Sequence, residues 1–358
     1  MLLLGLLACT EPLDLPEDQA AAGVPVGVRT VEVDGRTIEI WYPAGEAARD
    51  GVGDTVDVAA LIPASVTEHV GAIAVPPLPT TAVRDAAVRR TDEPFPLLLF
   101  SHGFGGFRAQ SVDLTVHLAS RGYVVVSTEH KGRSLPDLLP CLFSPPLEGC
   151  DLSAFGDDPG PADLGALRVW AQALDDDLGE ALDDERLGVF GHSAGGGSTG
   201  TYTQAEPTVD AGLAMAMGPT VSRDVPVGLL AGSCDATVAL ADVEAGAAAT
   251  TDATLRVLEG AGHLAFSDIC TLDLATVADE VLAGRDDLNQ TFYGGLRALA
   301  TDGCPGGAVP EPTAAACGFE AWGDLEAAQA VVRGDATRFF DATLRGTGPG
   351  LEAGVITP

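Results

Sequence analysis

The stretch Leu187–Gly200, LGVFGHSAGGGSTG, constrains the fold of this chain more than any other. A short apolar run with Leu187, Val189 and Phe190 stops at Gly191-His192-Ser193-Ala194-Gly195, and a segment of small residues follows. This is the sequence form of a strand that turns sharply into a helix with a serine at the apex. The apex backbone is strained, and a side chain two positions before or after it would collide with the turn, so both positions need glycine. A second Gly-x-Ser-x-Gly match overlaps the first at Gly196-Gly197-Ser198-Thr199-Gly200. Only Ser193 directly follows a strand-like run, whereas Ser198 falls a turn into the helix. Ser193 is the candidate nucleophile.

A strand that feeds a helix in this way belongs in a parallel sheet, and the rest of the chain supplies one. Val24–Val33 and Arg36–Tyr42 have β character and flank Asp34-Gly35, a strong hairpin signal. Residues 43–94 contain several prolines and no sustained period; they read as an irregular excursion with a short helix around Ala82–Arg89. Phe95–His102 is a continuous apolar run suited to a strand buried on both faces. Arg108–Arg121 places Val112, Val116 and Ala119 at helical spacing and stops at Gly122, and Tyr123–Thr128 is the next strand.

Residues 131–161 read as a Pro-rich loop and Ala162–Leu178 as helix. After the elbow, Gly212–Met217, Pro226–Ala231 and Thr254–Leu258 are runs of strand length. Residues 271–322 break the alternation as a second excursion of helix and loop, and Leu325–Leu344 reads as a terminal helix. Strand, helix and strand in alternation imply right-handed crossovers. The expected fold is α/β, a mostly parallel central sheet with an N-terminal antiparallel hairpin and helices on both faces. It forms a single domain over residues 24–350.

A serine hydroxyl is a poor nucleophile until a neighbouring base takes its proton and a third group holds that base. In α/β-hydrolases these groups follow the chain order serine, acid, histidine. Of the histidines, His69, His102, His117, His130 and His192 precede Ser193, and only His263 follows it. His263 closes the loop Glu259-Gly260-Ala261-Gly262-His263 after the last expected strand, where the base should project. Asp235 follows its strand through Gly232-Ser233-Cys234 and is the expected acid. The competitor, Asp210, precedes its strand and should lie at the opposite edge of the sheet. The oxyanion donors are expected at the backbone N–H groups of Ala194 and of Phe104, the latter in His102-Gly103-Phe104-Gly105-Gly106. His102 and His192 each precede a site element and are read as scaffold.

The net charge of −33 argues against nucleic-acid partners and anionic membrane surfaces, although an acidic surface also serves solubility. The N-terminus is apolar from Leu2 to Ala8 and reaches Cys9 through Leu6-Leu7-Ala8, the form of a lipoprotein-type signal segment over residues 1–9. Seven apolar positions cannot span a bilayer. The chain is therefore expected to be exported, with membrane contact only through a lipid anchor on Cys9 and residues 10–23 as a tether. The other six cysteines are even in number and lack CxxC spacing, which favours disulfides over a metal site. Proximity suggests Cys141–Cys150 and Cys304–Cys317, leaving Cys234–Cys270. No metal or organic cofactor is expected.

Three further segments carry a resemblance: Phe100-Ser101-His102-Gly103-Phe104-Gly105-Gly106-Phe107-Arg108, Leu118-Ala119-Ser120-Arg121-Gly122-Tyr123 and Glu129-His130-Lys131-Gly132-Arg133-Ser134. With the elbow, their order and spacing resemble the plasma-type platelet-activating-factor acetylhydrolase family over about residues 95–265, within the α/β-hydrolase superfamily. The resemblance implies a calcium-independent serine esterase acting on short or oxidised acyl groups of phospholipids. The position of the acid is instead similar to that in dienelactone-hydrolase-like and cutinase-like proteins. The Gly195-Gly196-Gly197 run and the Cys234–Cys270 pair also resemble secreted polyester hydrolases. The leading expectation is a serine carboxylic-ester hydrolase acting on a small-molecule or lipid ester with short acyl chains. The alternatives are a cutinase-like polyester hydrolase and a non-catalytic surface lipoprotein that keeps the fold.

Overall fold

A computed structural model describes residues 23–272, 274–282, 284–301, 322 and 325–358. The Cys9 segment and nearly all of the tether lie outside the described residues, as do Cys304 and Cys317. The chain opens on the expected hairpin, in which β1 (Val26–Val33) pairs antiparallel with β2 (Arg36–Pro43). Asp34 and Gly35 both have positive φ, 50° and 76°, the backbone of a tight type I′ turn.

Strands β3 (Thr55–Val56) and β4 (Leu78–Pro79) pair with each other apart from the main sheet, while eight further strands join β1 and β2 in it: β5 (Val83–Arg84), β6 (Phe95–Ser101), β7 (Val124–Thr128), β8 (Leu182–His192), β9 (Ala211–Met215), β10 (Pro226–Gly232), β11 (Asp252–Leu258) and β12 (Gly354–Ile356). The order across the main sheet is β12-β11-β10-β9-β8-β6-β7-β2-β1-β5. From β7 to β12 every neighbouring pair is parallel, and β2 meets β7 antiparallel.

Strand β6 shows why its sequence is apolar without alternation. Leu98 and Phe100 face one side, packing with Val112 and Leu114 of helix α2 (Val112–Ser120) and with Phe339 and Phe340 of α9 (Leu325–Leu344). Leu97 and Leu99 face the other side, with Leu164 and Leu167 of α4 (Gly160–Gln172). Each such side chain, fully buried, contributes roughly 1.5–3 kcal/mol. Helix α5 (Ala194–Ala205) follows the elbow, and α6 (Leu240–Ala249) joins β10 to β11.

Several boundaries differ from the sequence reading for local reasons. No helix forms at Ala82–Arg89, because Val83 and Arg84 pair with Gly27 and Val28 at the sheet edge. The helix of this excursion is α1 (Ala64–Val70). The helix expected from Arg108 starts at Val112, where the buried Asp268 carboxylate accepts the Asp113 N–H at 2.8 Å and caps the first turn from far along the chain. Helix α4 ends at Gln172 rather than Leu178, since the Asp176 carboxylate accepts the N–H groups of Leu178 and Gly179 and forms a turn instead. Within the 131–161 loop lies a one-turn helix, α3 (Leu135–Leu138). Strand β12 was not foreseen; it pairs with Arg256–Leu258 and carries the sheet past residue 350.

The second excursion supplies α7 (Leu274–Leu282) and α8 (Gln290–Thr301). These do not stand apart from the first excursion. Val66 of α1, Leu142 and Phe143, Leu282 of α7 and Leu288 share one small core. Backbone bonds from Asn289 N–H to Leu142 O (2.8 Å) and from Ser144 N–H to Asp287 O (2.7 Å) sew the layers together. The segment around Leu139–Cys150 is the middle layer between the two excursions, and the Cys141–Cys150 disulfide closes it. The excursions thus form a cap over one end of the parallel strands, where β6, β8, β10 and β11 end.

Candidate active site

Ser193 sits at the turn between β8 and α5 with φ 55° and ψ −122°, a conformation rare for a residue with a side chain. The strain is held in place by close packing. A Cβ at Gly191 would run into the Gly195 carbonyl, and one at Gly195 into the Ser101 carbonyl. The Ser193 N–H donates to Met215 O on the next strand at 2.8 Å, so the apex is pinned from both sides.

The structure brings Ser193, His263 and Asp235 together. His263 begins a 3-10 turn after β11, and Asp235 lies just beyond β10. His263 Nδ1 donates to Asp235 Oδ2 at 2.8 Å, which leaves Nε2 as the acceptor for the Ser193 hydroxyl, also at 2.8 Å. Asp235 Oδ1 accepts the N–H groups of Thr237 (2.9 Å) and Val238 (2.8 Å), so both carboxylate oxygens are engaged and its orientation is fixed. Asp235 and His263 are buried, while Ser193 is partly open. Asp210 lies at the other end of the strands, where it accepts the Leu187 N–H at 2.9 Å. Ser198 is engaged elsewhere, with Arg133 and Asp158.

The acid and base loops are tied by backbone bonds: Cys234 N–H to Ala261 O at 2.9 Å and Ser233 N–H to Leu258 O at 3.1 Å. Cys234 and Cys270 are each in a disulfide, but a bond between these two is not among those joining described residues. The proposed Cys304–Cys317 pair lies outside the described residues.

In the turn after β6, the amides of Gly103, Gly105 and Gly106 are all used internally, by Gln110 Oε1 (2.9 Å), Arg133 O (2.8 Å) and Gly103 O (3.1 Å). Among the described residues the Phe104 amide has no such acceptor. The Ala194 amide is the first N–H of α5 and has no intrahelical partner. The two amides foreseen as oxyanion donors are both left open.

Gln110 escaped the sequence reading, and so did the task of His192. Gln110 Oε1 takes the Gly103 N–H, which turns its Nε2 toward His192 Nδ1 at 2.7 Å. His192 must then carry its proton on Nε2, and it donates to the His263 carbonyl at 2.8 Å. One buried chain of bonds thus links the turn after β6 to His263. Burial, and secondarily His263, hold the His192 pKa down to about 3, so it stays neutral. A Gln at helical spacing next to a Gly-rich turn carries no distinctive signal, since its partners lie far along the chain.

Beneath the turn lies a second arrangement of the same residue types. His130 Nδ1 donates to Asp163 Oδ2 at 3.0 Å, and its Nε2 accepts from the Ser101 hydroxyl at 2.9 Å. Arg133 donates to Ser101 Oγ (2.9 Å), to the His102 carbonyl (2.8 Å) and to Ser198 Oγ (2.8 Å). His102 accepts the His130 N–H at 3.0 Å, as a scaffold residue would.

Above the site, the cap walls a half-open apolar cleft of about 230 Å³. Phe104 and Leu264 line the end next to Ser193 and His263, and residues of α1, α3, α7 and α8 line the rest together with loop residues such as Leu142 and Phe143. Among the described residues no cluster of three His, Cys, Asp or Glu side chains is arranged to hold a metal. No helix among them is long and apolar enough to cross a membrane.

Comparison with known proteins agrees with the site's surroundings. The family profile described as platelet-activating factor acetylhydrolase, isoform II, matches residues 26–136. Platelet-activating factor acetylhydrolase from Cavia porcellus is 42% identical over 45 residues, 13% of this chain and 10% of that protein. The Bos taurus protein of the same name is 42% identical over 55 residues, 15% of this chain and 12% of that protein. The matched segments thus span about a tenth of these relatives' length. A ferulic acid esterase from Streptomyces cinnamoneus superposes with a TM-score of 0.57 at 22% identity, covering 91% of this chain and 92% of that one. The chain has the α/β-hydrolase fold and resembles the platelet-activating-factor acetylhydrolases.

Proposed function

We propose that the chain is a serine hydrolase of carboxylic esters. The observation that carries the reading is the Ser193–His263–Asp235 relay, with both bonds at 2.8 Å, at a strained elbow beside two open amides. Ser193 Oγ attacks the ester carbonyl as its proton passes to His263 Nε2. The carbonyl oxygen becomes an oxyanion that accepts from the Phe104 and Ala194 amides. The tetrahedral adduct collapses to an acyl-serine, and the imidazolium, steadied by Asp235, gives its proton to the departing alkoxide. Water then enters, loses a proton to His263 and frees the acid by the same steps in reverse. The turnover uses only side chains and backbone amides of this chain.

The similarity of residues 26–136 to platelet-activating factor acetylhydrolases supports phospholipid-derived acyl esters as one substrate class. The cap and the apolar cleft beneath it favour a small or lipid ester over an insoluble polyester. Export with an anchor at Cys9 is part of the same proposal, supported by the sequence around Cys9 and by the Cys141–Cys150 disulfide, which fits an oxidising compartment. Labelled fatty acid should enter the wild type and not Cys9→Ala.

The decisive experiment is labelling with a fluorophosphonate probe alongside hydrolysis of p-nitrophenyl butyrate. Wild type should react and turn over, and Ser193→Ala should do neither. A wild type inert to both would reject the reading in favour of a non-catalytic fold.

A further inference from the structure

Resting on the ester-hydrolase reading, we propose that the cavity under the cap is the acyl site, and that it takes an unbranched apolar chain of about nine carbons. The size follows from the volume. An apolar cavity of about 150 Å³ holds one benzene ring, about 25 Å³ per carbon. A cavity of about 230 Å³ therefore holds an acyl chain well beyond the short groups that the sequence implied.

The lining sets the chemistry. Val66 and Val70 of α1, Leu139 and Leu142 of the middle layer and Val281 of α7 are all aliphatic, and the polar side chains among the lining residues are Tyr293 and Arg297 of α8. The Arg297 guanidinium donates to the Tyr293 hydroxyl at 3.2 Å. A sugar or a headgroup buried there would leave most of its hydrogen bonds unmade, whereas methylenes need none.

Two points assign the space to the acyl side rather than the alcohol. Phe104 and Gly105 border the cleft, and the Phe104 amide is the proposed donor to the acyl oxygen, so the space lies beside the turn that would hold the acyl group. The leaving alcohol must also depart before water attacks the acyl-serine, whereas the acyl chain stays tethered through both steps. A cleft walled by α1, α7 and α8 beside the turn suits the part that is retained. It follows that the two irregular excursions set the chain-length preference, and that a charged headgroup on a lipid substrate stays on the solvent side.

The test is a series of p-nitrophenyl esters from acetate to tetradecanoate, run beside a series of alkyl acetates of matching length, with fluorophosphonate labelling as the control. In the acyl series kcat/KM should rise about fourfold per methylene, peak at octanoate to decanoate and fall at tetradecanoate. The alkyl acetates should show no such rise. Ala278→Phe, which places a ring in the α7 wall, should move the optimum to shorter acyl chains. Straight-chain carboxylates should inhibit the wild type with the same length dependence, a readout that needs no variant to fold. A labelled enzyme whose rate is flat or falls from acetate onward, or follows the alcohol chain, would overturn the acyl assignment and leave ester hydrolysis standing. An enzyme that neither labels nor turns over any ester would overturn both.

Discussion

Two Ser–His–Asp relays form in this protein, and only one has the surroundings that the proposed mechanism needs. In both, a serine hydroxyl meets a histidine Nε2 at 2.8–2.9 Å and the Nδ1 meets an aspartate at 2.8–3.0 Å. The differences lie around the serines. Ser101 ends β6 in ordinary extended backbone, is wholly buried, and its oxygen already accepts from Arg133 at 2.9 Å. No carbonyl can reach it. Ser193 stands on a strained turn, is partly open, and has unpaired amides beside it. A relay of hydrogen bonds supplies a proton path; access and a place for the oxyanion make it a nucleophile's relay. The Ser101 relay serves position instead. With Arg133 it bolts the end of β6 and the His102 carbonyl to Ser198 on the elbow helix.

The sharpest way to break this contrast is to remove each hydroxyl in turn. Ser193→Ala should lower kcat/KM for p-nitrophenyl butyrate by at least about 10³-fold and abolish fluorophosphonate labelling. Ser101→Ala should retain labelling and lose at most about tenfold in rate. Its cost falls on stability, about 1–3 kcal/mol, because His130 and Arg133 are left with an unmet buried partner. Parallel rate losses in the two variants would mean that the buried relay takes part in the chemistry.

The relay proposed to react was far more legible in the sequence than the structural one. Chain order sufficed to single out His263, as the only histidine after Ser193, and Asp235, as the acid after a strand end. The structural relay joins His130 to Asp163 and Ser101, residues whose loop and helix context carries no spacing rule. Sequence periodicity found the sheet, since strands buried on both faces read as apolar runs. It could not find the cap. Residues 43–94 and 271–322 have no shared period, and their packing on each other through Val66, Phe143 and Leu282 is a long-range hydrophobic contact with no local trace. The helix expected at Ala82–Arg89 failed for a related reason, because pairing with β1 overrode local propensity.

A smaller effect tests the bridge between the oxyanion turn and the base. In Gln110→Glu the carboxylate still accepts the Gly103 N–H but cannot donate to His192 Nδ1. His192 then turns its proton toward the carboxylate and loses its hold on the His263 carbonyl, unless it takes up a second proton. We expect kcat to fall about 10–100-fold with KM within about threefold, since misplacing the base by about 1 Å weakens the transition state more than the bound ester. Equal changes in kcat and KM, or none, would show that the turn and the base are positioned independently. A comparable substitution at Asp163 should leave the kcat-to-KM balance untouched.

The smallest effect per residue separates the relays by pH. His192 and His117 have their pKa values held down to about 3, mainly by burial, then by His263 for the first and by Arg121 and Arg333 for the second. Burial also drives His102 and His130 well below the ordinary histidine value, with further lowering by His130 and Arg133 at the first, and by Arg133 and Arg36 at the second. In the unfolded chain each would take a proton below about pH 6.5. The unfolded state therefore binds more protons in acid, and stability is full above about 6.5 and lost as pH falls, by about 2 kcal/mol each for His192 and His117 at pH 5. Asp268 works in the opposite sense. Burial, then Asp113, push its pKa up to about 7, so its contribution favours the folded state in acid and is lost as pH rises from about 4 to 7. The four histidines outweigh it, and the melting temperature should fall between pH 7 and pH 5. His130→Gln should flatten that fall without moving the midpoint of the pH–rate profile, because its relay holds structure and passes no proton to substrate. A displaced midpoint in His130→Gln would put the buried relay in the catalytic path and erase the distinction between the two.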